Sequence, residues 1–298
     1  MTILCGTDFT PAASGASETA AALAARLQAK LVLVHVDELS TAVDGQTSSA
    51  AGSAGRPAIE EKLRAEASRV GGRGVTIETA LLAGHSDEAI CAEAERVGAD
   101  LIVVGALGRR SGPRWRLGST ADRIAQHASC PVLVARNPAP FAAWQDGGKN
   151  LSVVIGADMT PSAEAALRWV TRLCSAGPVT LIGAHVYWPP EVRERLHLKG
   201  PVPIGKGHPE VDATLARELG ERLTTPACGV PLDLRIVGGL GRVADHLVQI
   251  AEEEAADLLV VGSHQRTPFE RLWHGSISHG VIDAASMSVL CVPLRGAA

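Results

Sequence analysis

The chain contains two copies of one sequence pattern, and this internal repeat restricts the possible fold more than any other feature. The segment Gly6-Thr7-Asp8-Phe9-Thr10-Pro11 recurs as Gly156-Ala157-Asp158-Met159-Thr160-Pro161. The segment from Asp100 to Gly105 recurs between Asp257 and Gly262. A chain of 298 residues is long enough for two domains. The repeat therefore predicts two similar domains in tandem.

Each copy alternates short apolar runs with helical patterns. The nearly continuous apolar runs 31–36 and 101–104 are typical of strands buried on both faces. Aromatic residues make up only 3% of the chain, so we expect cores of Ala, Val, Leu and Ile. The order of strands and helices predicts a parallel sheet with right-handed crossovers. In such sheets a ligand binds beyond the carboxyl ends of the strands, where the strand order reverses.

Two glycine turns surround the point where one strand ends and the next helix begins. Gly105 and Gly108 follow the apolar run 101–104, and nine residues separate Gly108 from Gly118-Ser119-Thr120. Glycine lets backbone N–H groups approach a ligand, and a helix N-terminus attracts anions. The pattern is typical of a site for a phosphate chain. The alternative is a glycine turn and a helix cap that hold no ligand.

The loop between the glycine turns is rich in arginine. Its guanidinium groups either form a solvated face or contact phosphate oxygens in a forked geometry. They belong to Arg109, Arg110, Arg114 and Arg116. Asp8 and Gly105 both follow predicted strands, so both are expected at the carboxyl edge of one sheet, where they can face one crevice.

Composition and charge argue against several classes of partner. The net charge of −4 argues against binding to nucleic acid or to an anionic membrane. No apolar run approaches the roughly 18 residues that a membrane span requires. The N-terminal segment has no basic region and no cleavage site, so we expect a cytoplasmic protein.

No catalytic or metal-binding constellation is legible in the sequence. The six cysteines show no CxxC spacing, and we expect free thiols in a reducing cytosol. No cysteine and histidine cluster has the spacing of metal ligands, and no nucleophile and base form a recognisable pair. His35 and His185 lie in predicted strands and are interpreted as core histidines bonded to backbone.

These residues together resemble the universal stress protein family in its tandem two-domain form. The family's nucleotide motif is Gly-x2-Gly-x9-Gly-(Ser/Thr), and Gly105, Gly108, Gly118 and Ser119 match it at full spacing. Asp8 and Val36 match positions that flank adenine and ribose in ATP-binding members. The residues that we expect at the nucleotide in the first copy are Thr7, Asp8, Val36, Gly105, Gly108, Arg109, Gly118, Ser119 and Thr120.

The resemblance implies two Rossmann-like α/β domains of flavodoxin-like strand order 3-2-1-4-5. Each would be a five-stranded parallel sheet with helices on both faces, over residues 1–137 and 150–298, with 138–149 as a linker. It implies pairing of the two domains through the fifth strands, Val132–Ala135 and Val289–Val292, and a possible homodimer. It also implies binding of ATP, with Mg²⁺ to balance the phosphate charge, in a regulatory or protective role.

The second copy departs from the motif, because Gln265 stands where the second glycine belongs. A side chain there hinders close approach of the backbone to a phosphate, so we expect weaker binding in that half or none. The residues of this weaker site are Asp158, Val186, Gly262, Gly275 and Ser276.

Three functions remain open at this stage. The first is an ATP-binding regulatory module, with the nucleotide held at least by the first domain. The second is a ligand-free module for interaction or dimerisation. The third is a slow ATPase, although no residue is placed as a general base.

Overall fold

The computed structural model divides the chain into two compact units, Met1–Lys149 and Asn150–Ala298. The structure describes residues 1–38, 51–72, 74–107, 118–204, 207–227, 230–263 and 277–294. Within these ranges, each helix is too short or too polar to cross a bilayer.

The first unit alternates five strands with four helices and adds a fifth helix at its end. Its strands are β1 (Thr2–Gly6), β2 (Lys30–Asp37), β3 (Ile77–Ala83), β4 (Leu101–Gly105) and β5 (Val132–Ala135). Its helices are α1 (Pro11–Leu27), α2 (Ala51–Val70), α3 (Ser86–Arg96), α4 (Ser119–His127) and α5 (Ala139–Gln145).

The second unit repeats this order and carries one extra short helix after its second strand. Its strands are β6 (Leu151–Gly156), β7 (Val179–Tyr187), β8 (Asp233–Gly238), β9 (Leu258–Ser263) and β10 (Ser288–Pro293). Its helices are α6 (Pro161–Ala176), α7 (Pro189–Arg195), α8 (Pro209–Ala227), α9 (Val243–Glu253) and α10 (Ile277–Ala284). The extra helix is α7, which lies in the segment by which the second copy is longer.

Both units have the predicted strand order. The first runs β3-β2-β1-β4-β5 and the second runs β8-β7-β6-β9-β10, with every described pair parallel. In the first unit, α1 packs with α2 and α3 packs with α4; the second unit pairs α6 with α8 and α9 with α10. The prediction of a doubly wound sheet with order 3-2-1-4-5 is confirmed. The order reverses between β1 and β4, and again between β6 and β9, which fixes where a crevice opens.

Small side chains bring α1 close to its sheet. Ala13, Ala16 and Ala20 are each at most 3% exposed, and the helix contacts β1, β2, β4 and β5. The helix begins where the Thr10 side chain accepts a hydrogen bond from Ala13 N–H, with Pro11 at its first position. Pro has no N–H to lose there, and its fixed φ suits the first turn. The sequence therefore places the start of α1 directly after the end of β1.

The segment that the sequence indicated as a linker contains helix α5, which packs against α1. Phe141 and Trp144 are fully buried. The Arg26 guanidinium of α1 donates hydrogen bonds to the carbonyl oxygen of Trp144, at 2.6 Å from Nη2 and 3.2 Å from Nε. The same group lies 5.4 Å from the centre of the Trp144 ring, within reach of a cation–π contact. This segment is therefore part of the packed first unit.

Candidate functional site

Asp8 shapes the turn that leads from β1 into α1. Its Oδ1 accepts hydrogen bonds from the backbone N–H of Thr10 at 3.0 Å and from the Thr10 hydroxyl at 2.5 Å. Phe9, between them, adopts the left-handed conformation with φ 62°. That conformation is strained for a residue with a bulky side chain, and the two bonds across it hold the turn in place.

His35 supports the same turn through a hydrogen bond to its backbone and a ring contact with Phe9. His35 Nδ1 lies 2.7 Å from the carbonyl oxygen of Thr7, so Nδ1 carries the proton and donates. The Phe9 ring packs against the imidazole, with ring centres 4.6 Å apart and the ring planes tilted by 33°. Thr7 N–H donates to Val34 O at 2.9 Å, which continues the ladder between β1 and β2. The interpretation of His35 as a histidine bonded to backbone is confirmed.

The structure brings three of the predicted residues to one end of β1 and β2. Thr7 and Asp8 follow the last residue of β1, and Val36 is the penultimate residue of β2. Val36 is 8% exposed, and Thr7 is 6% exposed. These positions lie at the carboxyl edge, beside the point where the strand order reverses.

Gly105 ends β4, the neighbour of β1, and lies against the first turn of α1. A Cβ added to Gly105 would sit 3.0 Å from the carbonyl carbon and oxygen of Ala12, and 3.2 Å from Ala13 N. The missing side chain thus has a packing reason that the sequence did not show, namely the close approach of α1 to the end of β4.

Helix α4 begins at the end of β4, although the two are separated in sequence. Gly118 N–H donates to Ala106 O at 2.8 Å, and Ala106 directly follows β4. Gly118 is the N-cap and has no side chain to accept from the first turn. The first N–H groups of a helix have no acceptor within the helix, so those of Ser119 and Thr120 require an acceptor from outside it. Ser119 is exposed and Thr120 is half-buried.

Four of the predicted site residues lie outside the described residues. They are Gly108 and Arg109 in the first unit, and Gly275 and Ser276 in the second. Gln265 and the other arginines of the first loop lie outside them as well. Within the described part of the chain, no group of three or more His, Cys, Asp and Glu side chains is arranged to hold a metal ion.

The second unit repeats the hydrogen bonds of this turn, although Met159 does not share the left-handed conformation of Phe9. Asp158 Oδ1 accepts from the N–H and hydroxyl of Thr160, at 2.9 and 2.5 Å. His185 Nδ1 lies 2.7 Å from the carbonyl oxygen of Ala157. Burial lowers the pKa of His185, so its ring is neutral at pH 7. The shared turn is therefore a property of both copies and does not depend on the glycine motif.

The remaining described residues of the second site also lie at the carboxyl edge. Val186 is half-buried near the end of β7, and Gly262 lies in the last two residues of β9. A Cβ on Gly262 would sit 2.5 Å from the carbonyl carbon and oxygen of Ser162, closer than the matching contact at Gly105. The close approach of the first helix to this strand end is thus common to both units.

Sequence reasoning missed two contributors to the first site. Phe9 was not singled out, although an aromatic residue between Asp8 and Thr10 is an unusual occupant of a polar turn. Ala106 was missed because its contribution is a carbonyl oxygen, which carries no side-chain signal. Cys5, Cys91 and Cys174 are free thiols, as the sequence predicted.

Comparison with known proteins gives matches along the whole chain. The model of the universal stress protein family matches residues 1–136 and 150–293. A universal stress protein from Mycolicibacterium smegmatis is 28% identical over 305 residues, covering 98% of this chain and 97% of that protein. A universal stress protein from Archaeoglobus fulgidus has a similar fold, with a TM-score of 0.72 at 18% identity, over 99% of this chain and 98% of that one. A universal stress protein solved in complex with cAMP is 26% identical and covers 46% of this chain and 97% of that one, with a TM-score of 0.38.

Proposed function

The chain belongs to the universal stress protein family, and on that premise we propose that its first unit binds ATP as a regulatory ligand. The observation that carries the proposal is the bond from Gly118 N–H to Ala106 O. It sets a helix N-terminus, whose N-cap is a glycine, at the end of β4, next to the strand that leads into Asp8. A polyanion and a nucleoside can then occupy one crevice.

The described residues fit such a ligand. The first turn of α4 offers backbone N–H groups to a phosphate. The N-cap of this helix is Gly118, which has no side chain to compete for them. At the other end of the crevice, Val36 gives a buried apolar surface suited to a base, and Asp8 gives a carboxylate suited to ribose hydroxyls. Mg²⁺ would balance the charge of the phosphates.

Each residue has a separate task in this proposal. The N–H groups of Ser119 and Thr120 hold phosphate oxygens, since the helix dipole favours negative charge there. Asp8, fixed by Thr10, orients the sugar. Val36 and the Phe9 ring, which packs against His35, form the floor. Gly108 and Arg109 are proposed to complete the phosphate site on the evidence of the motif alone.

We propose binding rather than rapid hydrolysis. The carboxylate of Asp8, held by two hydrogen bonds from Thr10, is placed in this proposal at the sugar, away from the phosphate end of the crevice. Proton abstraction requires a base within hydrogen-bond reach of the attacking water and free to accept. A bound nucleotide would therefore act by stabilising one state of the protein.

The experiment is a calorimetric titration of the full chain with Mg·ATP, comparing the wild type with Gly118→Ala. Gly118 has φ −67° and ψ 139°, which alanine adopts without strain, so the variant adds one methyl group at the phosphate site. We expect at least tenfold weaker binding. Gly55→Ala is the matched control, because a Cβ at Gly55 meets nothing within 4 Å.

Two results would contradict the proposal. One is a wild-type protein that neither binds Mg·ATP nor copurifies with nucleotide, as checked by mass spectrometry of the purified chain. The other is equal affinity in Gly118→Ala and in the wild type, which would remove the N-terminus of α4 from the site. The first result would favour the ligand-free interaction module.

A further inference from the structure

Strand β8 is the outer strand of the second unit, and its free side lines a groove between two helices. The strand pairs with β7 along Asp233–Gly238 and stands at the end of the strand order. The groove has a volume of about 740 Å³ and is lined by residues 234–237 of β8, by the first half of α8 and by the end of α9. An outer strand has a row of backbone N–H and C=O groups that point away from its neighbour. These groups can pair with another strand.

The side chains of β8 alternate between the two helices. Ile236 packs against a small core that includes Val211 and Leu215 of α8. Arg235, the residue before it, faces the other helix, since its Nε lies 2.5 Å from Oε1 of Glu254 at the end of α9. Each face of β8 is therefore turned to a helix, while its edge lines the groove. A strand added at this edge would extend the sheet between α8 and α9.

Carboxylates outnumber cations in the lining of the groove. Asp212 contributes one carboxylate from α8, and Glu253 and Glu254 contribute two from the end of α9. The guanidinium of Arg235 is bound to Glu254, whereas Glu253 accepts a hydrogen bond of 2.9 Å from the neutral amide of Gln249. Among the described residues, the lining thus has an excess of negative charge on both of its walls, at Asp212 and at Glu253.

Asp212 has a buried oxygen that lacks a donor. Among the described residues, its Oδ1 is buried and has no hydrogen-bond partner. Burial raises the pKa of this carboxyl group, even though the backbone N–H of His208 donates to it. A buried charge is costly unless it is fully hydrogen-bonded. A cationic side chain that reaches Oδ1 would supply the missing donor.

We propose that the outer edge of β8 binds an extended, basic peptide segment of a partner protein, which adds a strand to the second unit. The backbone of the segment pairs with β8. Its cationic side chains contact Asp212 on one face of the strand and Glu253 on the other. The inference goes beyond the proposed function and does not use the nucleotide crevice, since β8 lies two strands from β6, where the order reverses.

The two carboxylates define the spacing of the cations. Asp212 is the fourth residue of α8, and Glu253 is the last residue of α9. Helices that connect parallel strands run opposite to them, so Asp212 lies toward the end of β8 and Glu253 toward its start. The contact between Arg235 and Glu254 agrees with this placement. Two lysines three residues apart in a strand face opposite sides at a separation of about 10 Å along the chain, which suits both carboxylates.

The same charges argue against a second copy of this chain as the occupant. Pairing of two β8 strands would bring two acidic grooves together, and like charges across a strand pair are destabilising. It would also leave Oδ1 of Asp212 without a donor. A basic segment gains at both positions, because each carboxylate meets a charge of opposite sign.

The test measures binding of the peptide Val-Lys-Thr-Val-Lys-Thr to the full chain by fluorescence anisotropy, with fluorescein at its amino end and an amide at its carboxyl end. Val-Glu-Thr-Val-Glu-Thr is the matched control and is expected to bind at least tenfold more weakly. Asp212→Asn is expected to weaken binding of the basic peptide about tenfold, because a charged hydrogen bond to a buried oxygen is lost. Glu253→Gln, at an exposed position, should weaken it about threefold. Glu210→Gln removes a charge from an exposed position of α8 outside the groove and should leave binding unchanged.

Backbone pairing is tested with a form of the basic peptide in which esters replace the backbone amides. An ester has no N–H to donate, whereas the side chains and their charges are the same. We expect this form to bind at least tenfold more weakly than the amide peptide, since strand addition depends on main-chain hydrogen bonds. Equal affinity of the two forms would mean that charge alone holds the peptide, and the inference of an added strand would be wrong.

Three further results would overturn the inference. They are the absence of binding by the basic peptide, equal affinity for the acidic peptide, and unchanged affinity in both Asp212→Asn and Glu253→Gln. Sedimentation of the wild type and the same variants tests the main competing occupant. If the basic peptide does not bind and Glu253→Gln alters self-association, a second copy covers the edge and the inference is wrong. Failure of Mg·ATP binding would reject the function proposed for the first unit and would leave the peptide result unaffected.

Discussion

His35 Nδ1 donates a hydrogen bond of 2.7 Å to the carbonyl oxygen of Thr7, and so links the end of β2 to the residue that precedes Asp8. The second unit repeats the contact at 2.7 Å between His185 and Ala157. Because the carbonyl belongs to the turn itself, the imidazole supports the backbone on which the candidate site is built. Removing the imidazole should therefore lower both the stability of the protein and its affinity for the ligand.

His35→Phe is therefore expected to destabilise the protein by about 1–3 kcal/mol, the cost of leaving a buried acceptor without its donor. Chemical denaturation of the full chain measures the change. His127→Phe is the control, because the bond of His127 goes to a carbonyl on its own helix, at an exposed position. A loss in His35→Phe no larger than that in the control would show that the Thr7 carbonyl finds another partner.

Gly105→Ala and Gly262→Ala are both expected to destabilise their units by overpacking, by about 1–3 kcal/mol. The larger effect should fall on Gly262, whose added Cβ would meet the Ser162 carbonyl group at 2.5 Å, against 3.0 Å from Gly105 to Ala12. Thermal unfolding of the two variants tests the order. Gly220→Ala, where a Cβ meets nothing within 4 Å in helix α8, is the control and should not destabilise.

The reverse order, or no effect in either variant, would mean that α1 and α6 can withdraw from the strand ends at little cost. The expected packing cost at Gly105 also affects how ligand affinities of glycine variants are interpreted. An affinity loss in Gly105→Ala has a packing explanation, whereas Gly118→Ala does not strain its backbone. Gly118 is for this reason the sharper probe of the phosphate site.

The two glycines show how far sequence reasoning reaches. Spacing placed Gly105 and Gly118 at a strand end and a helix start, and the structure agrees, because strand and helix periodicity are local properties. A missing side chain indicates close approach but not what approaches. At Gly105 the neighbour is the backbone of Ala12, brought there by the packing of α1 on the sheet. That contact is set by tertiary structure and has no signal in the sequence near Gly105.

Helix α5 shows the same limit in the fold. The sequence 138–149 has the Pro and Gly content of a linker, and its two large apolar residues are too few to define a helical face. Their burial comes from the packing of α5 on α1, and Arg26 of α1 bonds to the carbonyl oxygen of Trp144 from 118 positions earlier in the chain. The parallel sheet, in contrast, follows from the alternation of strands and helices, and the strand order was implied by the family resemblance.

Trp144→Ala is expected to destabilise the first unit by about 3–5 kcal/mol, because a large, fully buried ring is removed and its site cannot refill. Differential scanning calorimetry should show a lower unfolding temperature. Trp188→Ala is the matched control, since this tryptophan is 49% exposed, and it should change stability little. Similar small losses in both variants would mean that α5 contributes little to the first unit.

The rate at which the cysteine thiols are alkylated tests how deeply they are buried. Burial raises the pKa of Cys5 to about 12 and that of Cys91 to about 11, and the thiolate is the reactive form. We expect both to resist alkylation in the native protein at pH 8, with Cys91 reacting before Cys5. Peptide mapping by mass spectrometry after timed alkylation gives the order. The unfolded protein is the control, and labelling of Cys5 ahead of Cys91 in the native protein would contradict the assignment.

The bond between Glu66 of α2 and Arg69 is expected to cause part of the acid sensitivity of the first unit. The Glu66 carboxylate accepts from Arg69 at 2.8 and 2.9 Å, and this bond holds the pKa of Glu66 below its ordinary value of 4.5. A carboxyl group whose pKa is lower in the folded state stabilises that state above its unfolded pKa, and the contribution is lost as pH falls through the folded pKa. Glu66→Gln should therefore flatten the fall in unfolding free energy below about pH 4.5, whereas Glu61→Gln, at an exposed position of the same helix, should not. Denaturant unfolding across that pH range decides between them, since parallel curves for Glu66→Gln and the wild type would show that the bond to Arg69 adds nothing to acid stability.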